Sequence, residues 1–132
     1  APEHTSPKVL QAMGKPDDNS LLIFKEQFKK KKKNSAKRQY LTYYLIAAHP
    51  GCEMNDMHKL RNFLADKLKM IPEQVQIFTP TPSTISALMY CTGRDPYSGK
   101  TIFSEHELRK KRKQKEAITA PVNPYSRRKP RR

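Results

Sequence analysis

The chain has 132 residues, with 27 Lys and Arg against 12 Asp and Glu, two Cys and no Trp, and its net charge is +15. That length allows one domain with a modest core, and no apolar run approaches the ~18 residues that a membrane span requires. Two cysteines 39 positions apart do not form a disulfide framework, which predicts a reducing, cytoplasmic location. The polar amino end starts with Ala1 and has no signal peptide, so we expect a fragment cut from a longer protein.

The positive charge is concentrated in two segments. Residues 25–38 hold eight Lys or Arg against one Glu, and residues 109–132 hold eleven against one. Because such segments attract phosphates, one alternative function is an RNA- or other nucleic-acid-binding module that uses Lys29–Lys33 and the Arg/Lys-rich tail. The other interpretation is that these lysines close a helix, where cations suit the helix dipole, and that the tail over 119–132 is disordered.

The first third of the chain predicts two helices. A helix starts at Ser6-Pro7, a capping hydroxyl followed by proline at the first helical position, and ends at Gly14. Its apolar residues share one face: Val9, Leu10 and Met13. After a turn over 15–20, three apolar residues at helical spacing predict the second helix: Leu21, Phe24 and Phe28.

The middle of the chain predicts a strand, a helix and a second strand. Residues 39–48, QYLTYYLIAA, are apolar without alternation, which is typical of a strand buried on both faces of a parallel sheet. Residues 75–78 form the second strand. The helix between them is capped by Asn55-Asp56 and ends at Pro72, and its apolar face is Met57, Leu60, Leu64 and Leu68. Two parallel strands leave edges and faces uncovered, so we expect an incomplete α/β domain.

The last third of the chain has weaker patterns. A short helix is predicted over 85–90 and a turn over 93–99, and Cys91 is expected to be a buried structural thiol. Ser104–Glu107 reads as a capping box that opens a very polar helix ending near Ile118.

In α/β units the functional loops follow the carboxyl ends of the strands. Two such loops are HPGC at 49–52 and TPTPST at 79–84, and the segment 2–6 before the first helix is a third candidate. His49 and Cys52 could ligate a metal or form a nucleophile pair. The alternative is that His49 caps the strand end and Cys52 packs in the turn. No dinucleotide, P-loop, metalloprotease or serine-hydrolase motif is present.

Four ordered motifs resemble the loops of a radical S-adenosylmethionine (SAM) barrel. They are APEHTS at 1–6, AHPGC at 48–52, EQVQIFTPTPST at 73–84 and MYCTGRDPYSG at 89–99. Their order is similar to that in the YgiQ-like radical SAM family, long bacterial proteins of unassigned function. The resemblance implies an α/β fold in which residues 1–84 form the carboxyl-terminal part of a partial (β/α) barrel. Residues 85–118 would then be an irregular and helical basic extension, and 119–132 a basic tail.

The resemblance also implies cofactors. In the family a [4Fe–4S] cluster on a CxxxCxxC loop gives an electron to SAM, and a 5′-deoxyadenosyl radical abstracts hydrogen from a substrate. That loop is absent from this chain, so we expect no catalytic residue, metal ligand or bound cofactor in the fragment alone, which would be an inactive monomer away from membranes. Its implied contribution is part of the SAM-binding rim: Glu3, His49, Pro50, Gly51, Thr79 and Thr81. Two residues depart from the family pattern, since Ala48 replaces a usual Gly and Cys52 an expected acidic residue.

Overall fold

The computed structural model of the chain describes residues 2–16, 19–33, 39–72 and 74–119. Helices alternate with two short strands along most of this length. The elements are α1 (Pro7–Ala12), α2 (Asn19–Lys33), β1 (Tyr44–Ala47), α3 (Met54–Phe63) with a π-helical turn (Leu64–Leu68), β2 (Gln74–Ile77), α4 (Ile85–Thr92) and α5 (Leu108–Thr119).

β1 and β2 pair in parallel, as the sequence predicts, with Tyr44 opposite Gln74 and Ala47 opposite Ile77. The Ile46 amide donates to the Glu3 carbonyl at 2.8 Å, on the strand edge opposite β2. This follows because successive residues of a strand point their backbone groups to alternate edges. Glu3 is therefore bonded to the side of β1 that faces away from β2, so that β1 lies between Glu3 and β2.

One face of the sheet is buried. Leu45 and Ala47 are 1% and 0% exposed, whereas Tyr44, on the other face of the strand, is 45% exposed. The prediction that residues 39–48 form a strand buried on both faces does not hold for β1, in which burial alternates along the four residues. Regular strand structure is also confined to the four residues of β1.

The core lies between this sheet face and the helices. The predicted apolar face of α3 and its π-helical turn is confirmed, since Met57, Leu60, Leu64 and Leu68 are all buried. They form one cluster with residues of the other elements: Val9, Leu21, Tyr43, Leu45, Ala47, Cys52, Val75 and Ile118. The two strands that lead into the loops therefore pack on one continuous apolar cluster.

Both ends of the α3 helix differ from the prediction. The N-cap is Glu53 and not Asn55-Asp56; Asp56 is the N3 residue, and its carboxylate accepts the Glu53 amide in a reciprocal capping box. The helix ends at Leu68 rather than at Pro72, because Lys69 adopts a left-handed conformation with φ of +52°. A widened π-helical turn was not foreseen, since periodicity does not distinguish it from regular helix.

Replacing Lys69 by glycine should stabilise the protein. A left-handed conformation costs a non-glycine residue ~1–2 kcal/mol, part of which is offset by the greater freedom of glycine in the unfolded chain. We expect a gain of about 0.5–1 kcal/mol in the free energy of unfolding, measured by urea denaturation. The control is Lys59→Gly within α3, where the same exchange should cost about 1 kcal/mol. A loss of stability in both variants would contradict the assigned helix end.

α5 packs against α3 and both strands. Its buried stripe is Lys111, Gln114 and Ile118. The helix begins at Leu108, four residues after the predicted capping serine. Ser104 cannot cap it because the preceding backbone is held elsewhere: the Ile102 amide donates to Gly93 and the Phe103 carbonyl accepts from Gly51. The Ser104 hydroxyl is instead buried without a hydrogen-bond partner in the described part of the chain.

The other predicted helices are confirmed with small changes of bounds, and Cys91 is a correction. Val9 and Leu10 of α1 are buried, and Met13 packs against the core. Cys91 is exposed rather than buried, since Met89 is the buried residue of the short helix α4. Within the described ranges, no helix combines the length and apolarity needed to cross a membrane.

The first basic segment closes a helix, one of the two alternatives that the sequence leaves open. Lys30–Lys33 form the last turn of α2, where cations interact favourably with the helix dipole. The Lys32 ammonium also lies 4.8 Å from the centre of the Tyr40 ring. Residues 34–38 and nearly all of the predicted basic tail lie outside the described residues, so nucleic-acid binding by these segments stays a prediction.

Candidate functional site

The three predicted loops lie at one edge of the sheet. Glu3 is bonded to β1 through the Ile46 amide, and the Phe78 amide donates to the Ala47 carbonyl on the other side at 2.8 Å. Glu3, the end of β1 and the end of β2 therefore form a row. The loops 48–52 and 79–84 leave the sheet from this row. We call this edge, with residues 2–4, 48–52 and 78–84, the rim.

His49 joins the rim to helix α4. Its Nδ1 lies 2.9 Å from the Pro50 carbonyl oxygen and its Nε2 lies 2.9 Å from the Ser86 hydroxyl, while its ring packs edge-on against Phe78. Burial lowers the pKa of His49, and this outweighs the opposing effects of the Pro50 carbonyl and of the Glu3 charge. The neutral ring therefore donates from Nδ1 to Pro50 and accepts from Ser86 at Nε2.

Pro50 and Gly51 are buried members of the rim. The Gly51 amide donates to the Phe103 carbonyl at 2.7 Å. Gly51 has φ of +86°, and a Cβ atom there would lie 3.4 Å from Cδ1 of Ile102. The glycine backbone that the resemblance directs at a cofactor is bonded in this structure to the extension that follows α4.

Replacing Gly51 by alanine should destabilise the protein by about 1–2 kcal/mol through backbone strain alone, since the added methyl group would lie at ordinary contact distance, 3.4 Å, from Cδ1 of Ile102. Gly14→Ala is the matched control, because Gly14 also has a positive φ of +67° but no atom within 4 Å of a Cβ placed there. Urea denaturation of both variants should show similar losses of stability, because the positive φ causes the strain in each. A Gly51→Ala variant as stable as wild type would contradict the left-handed conformation of Gly51.

Glu3, Thr79 and Thr81 are the accessible members of the predicted site. The Glu3 carboxylate pairs with the Lys15 ammonium at 2.8 Å, and about a third of each side chain is exposed. Thr79 and Thr81 are exposed on the loop after β2, whose Thr84 hydroxyl caps α4 by accepting the Ala87 amide. The rim thus has an accessible layer over a buried support formed by residues 48–52.

A buried polar network lies beneath the rim and was missed by the sequence analysis. The Ser6 hydroxyl donates to Oδ1 of Asp56 at 2.9 Å, and the Lys8 ammonium pairs with Oδ2 at 2.9 Å. Nδ1 of His4 accepts the Ser6 amide, and its Nε2 lies 3.6 Å from the Cys52 sulfur. The polar residues around α1 and at the start of α3 are visible in the sequence. Their spacing along the chain does not show that they contact each other.

The buried side chains of His4 and Cys52 are uncharged and unreactive at neutral pH. Burial lowers the pKa of His4 to about 4 and raises the pKa of Cys52 to about 12, so both are neutral at pH 7. A reactive cysteine needs a thiolate, which this pair does not provide. His49 uses its ring nitrogens on Pro50 and Ser86 rather than on Cys52, which favours the packed-thiol alternative. No cluster of three metal-binding side chains occurs within the ranges described.

The two cysteines should differ sharply toward a thiol reagent. Cys91 is exposed and Cys52 is fully buried, so iodoacetamide at pH 8 should label Cys91 within minutes and leave Cys52 protected. Mass spectrometry of the two peptides gives each rate, and the same reaction in urea supplies the fully accessible reference. Equal labelling rates under native conditions would contradict the burial of the 48–52 loop.

Comparison with known proteins gives a consistent set of relatives. A UPF0313 protein of Fusobacterium nucleatum is 52% identical over 119 residues, which are 90% of this chain and 21% of the relative. UPF0313 proteins of Thermotoga maritima and Methanosarcina acetivorans are each 42% identical, over 89% and 87% of this chain and 21% and 15% of their own lengths. No family model and no solved structure matches significantly. The chain thus spans only 15–21% of the length of these relatives.

Proposed function

We propose that this homologue of UPF0313 proteins is the carboxyl-terminal part of a radical SAM barrel and supplies one section of its SAM-binding rim. The observation that carries the proposal is the row formed by Glu3, the end of β1 and the end of β2. Loops at the carboxyl ends of parallel strands form the binding edge of barrel folds. The residues that the motif resemblance assigns to cofactor contact are Glu3 and members of the two loops that follow this row.

The exposed layer of the rim suits a cationic, hydroxyl-rich ligand such as SAM. Glu3 offers a carboxylate that already holds an ammonium group, that of Lys15, so an amino group of a ligand can compete for the same oxygen atoms. Thr79 and Thr81 offer exposed hydroxyls to a ribose or to a base edge. In this proposal the residues of the buried loop 48–52 shape the site from below and do not touch the ligand through the Gly51 amide.

The described residues do not fit an iron–sulfur cluster. A cluster requires several thiolates that converge on one point, whereas Cys52 is buried with a raised pKa and Cys91 is exposed on α4. We therefore assign no cluster ligand to this chain. In the proposal the cluster-binding cysteines belong to the remainder of the relatives' length, of which this chain spans only 15–21%.

The proposal is tested on the full-length protein. After anaerobic reconstitution with iron and sulfide, it should cleave SAM to 5′-deoxyadenosine when a reductant is added. Glu3→Gln should weaken SAM binding about tenfold, or ~1.4 kcal/mol, in a calorimetric titration. Lys15→Gln removes the ion pair but keeps the Glu3 carboxylate, so it shows how much of the loss comes from the ion pair alone. Glu26→Gln on the exposed face of α2 is the control. A reconstituted protein that neither binds nor cleaves SAM would overturn the proposal.

A further inference from the structure

We infer that Gln114 of α5 is a positioning residue for the rim, and that it fixes the 48–52 loop in the form that binds SAM. The inference deepens the proposed function and rests on it. One buried side chain spans the two ends of the loop, since Gln114 contacts both Ala48 and Cys52.

The carboxamide of Gln114 is shared between both ends of the loop. Its Oε1 accepts the Ala48 amide at 2.9 Å, and its Nε2 donates to the Cys52 carbonyl at 3.3 Å. The residue is 3% exposed, so water does not compete for these bonds. A buried amide that satisfies two backbone groups at once fixes their separation, because loss of either bond leaves a desolvated group unpaired.

The loop needs such support at its first residue. Ala48 has φ of +60°, a left-handed conformation that costs a non-glycine residue free energy. The bond from the Ala48 amide to Gln114 counteracts this cost where β1 ends. The residues that follow, including His49 with its link to Ser86, are placed by the direction in which the chain leaves Ala48.

A second contact from the same extension acts on the middle of the loop. The Gly51 amide is bonded to Phe103, and Ile102 lies against the Gly51 backbone. Two separate parts of the extension, 102–103 and Gln114, therefore hold the loop at three points. The carboxyl-terminal extension acts as a clamp on the rim, and its removal or undocking should disturb SAM binding without removing any residue that touches SAM.

The test compares Gln114→Leu with wild type in the full-length protein. Leucine fills a similar volume but offers neither hydrogen bond. We expect the dissociation constant for SAM to rise at least fivefold, and iodoacetamide labelling of Cys52, measured on its own peptide, to accelerate at least tenfold. Labelling of Cys91, which is exposed in either case, should not change. Lys113→Leu, at the neighbouring exposed position, is the control and should alter neither value.

Two further variants keep the test decisive. Gln114→Glu retains an acceptor for Ala48 and should restore part of the SAM affinity, which a purely global loss of stability would not do. If Gln114→Leu does not fold, Ile102→Ala is used instead, because it weakens the second contact without leaving a polar group unpaired. We expect it to raise the SAM dissociation constant and the Cys52 labelling rate by about a third as much.

The outcomes separate the two proposals. If the full-length wild-type protein does not bind SAM yet Gln114→Leu exposes Cys52, the proposed function fails and the contact to the loop is real. If SAM is bound and cleaved but folded Gln114→Leu keeps wild-type affinity and a protected Cys52, the clamp is overturned and the proposed function stands.

Discussion

Replacing Asp56 by alanine should lower the free energy of unfolding by about 3 kcal/mol, because it removes the buried carboxylate that accepts two hydrogen bonds and pairs with Lys8. The carboxylate is 2% exposed and accepts the Ser6 hydroxyl, the Glu53 amide and the Lys8 ammonium. The variant leaves the buried hydroxyl and amide without an acceptor, and each such group costs about 1–3 kcal/mol. Urea denaturation at pH 7 measures the loss.

Asp66→Ala is the matched control for this prediction, since Asp66 lies exposed on the π-helical turn and should matter by less than about 0.5 kcal/mol. Burial acts to raise the pKa of Asp56, but the hydrogen bonds from Lys8, Glu53 and Ser6 outweigh it and hold that pKa below its ordinary value. The stability supplied by Asp56 is therefore present above about pH 4 and lost below it. If Asp56→Ala and Asp66→Ala unfold at the same urea concentration, the network is not stabilising.

Acidification from pH 7 to pH 4 should cost about 3 kcal/mol of stability through His4. Burial lowers the pKa of His4 from 6.5 to about 4 in the folded protein, and each unit of difference corresponds to about 1.4 kcal/mol. Between these two values the unfolded chain binds a proton that the folded protein does not. The free energy of unfolding therefore falls as the pH falls through this window.

His4→Gln tests this assignment, because glutamine keeps an acceptor for the Ser6 amide but does not titrate. The variant should show a flatter dependence of the urea midpoint on pH between 6.5 and 4, whereas His58→Gln, an exposed position on α3, should follow wild type. Parallel curves for His4→Gln and wild type would show that His4 is not the group responsible. The Asp56 contribution is separable because its window lies below about pH 4.

The parts of the fold that could be predicted are those that depend on local patterns. The apolar stripe from Met57 to Leu68, the start of α1 at Ser6-Pro7 and the parallel pairing of two short strands follow from spacing and cap chemistry. The burial of 39–48 was overestimated, because apolar composition does not show how many layers of helices cover a sheet. Tyr44 is apolar enough to be buried, yet it is 45% exposed.

The least predictable feature was α5. Its sequence, LRKKRKQKEAIT, reads as a solvated basic helix, and a single apolar residue on the buried stripe, Ile118, gives little periodicity. Besides Ile118 in the apolar core, α5 is held by the two contacts of Gln114 with the rim loop and by the Lys111 ammonium, which donates to the Tyr90 hydroxyl at 2.8 Å. Hydrogen bonds of this kind are made to groups far along the chain, so they cannot be predicted from residue spacing.

The candidate site was predicted as a set of positions but not as a structure. The motifs located Glu3, the loop 48–52 and the loop 79–84, and the structure gives these positions two different environments. Glu3, Thr79 and Thr81 are accessible, while His49, Pro50 and Gly51 are buried supports bonded to α4 and to the extension. The sequence motifs do not distinguish the accessible residues from the buried ones.

Hydrogen–deuterium exchange of the reconstituted full-length protein with and without SAM is the most direct test of the shared rim. We predict that saturating SAM slows exchange together in peptides covering residues 2–4, 48–52 and 78–84, with no comparable change in α2. If the protein binds SAM and protection appears in one of these segments alone, or only elsewhere in the protein, the three loops do not form a common SAM-binding edge.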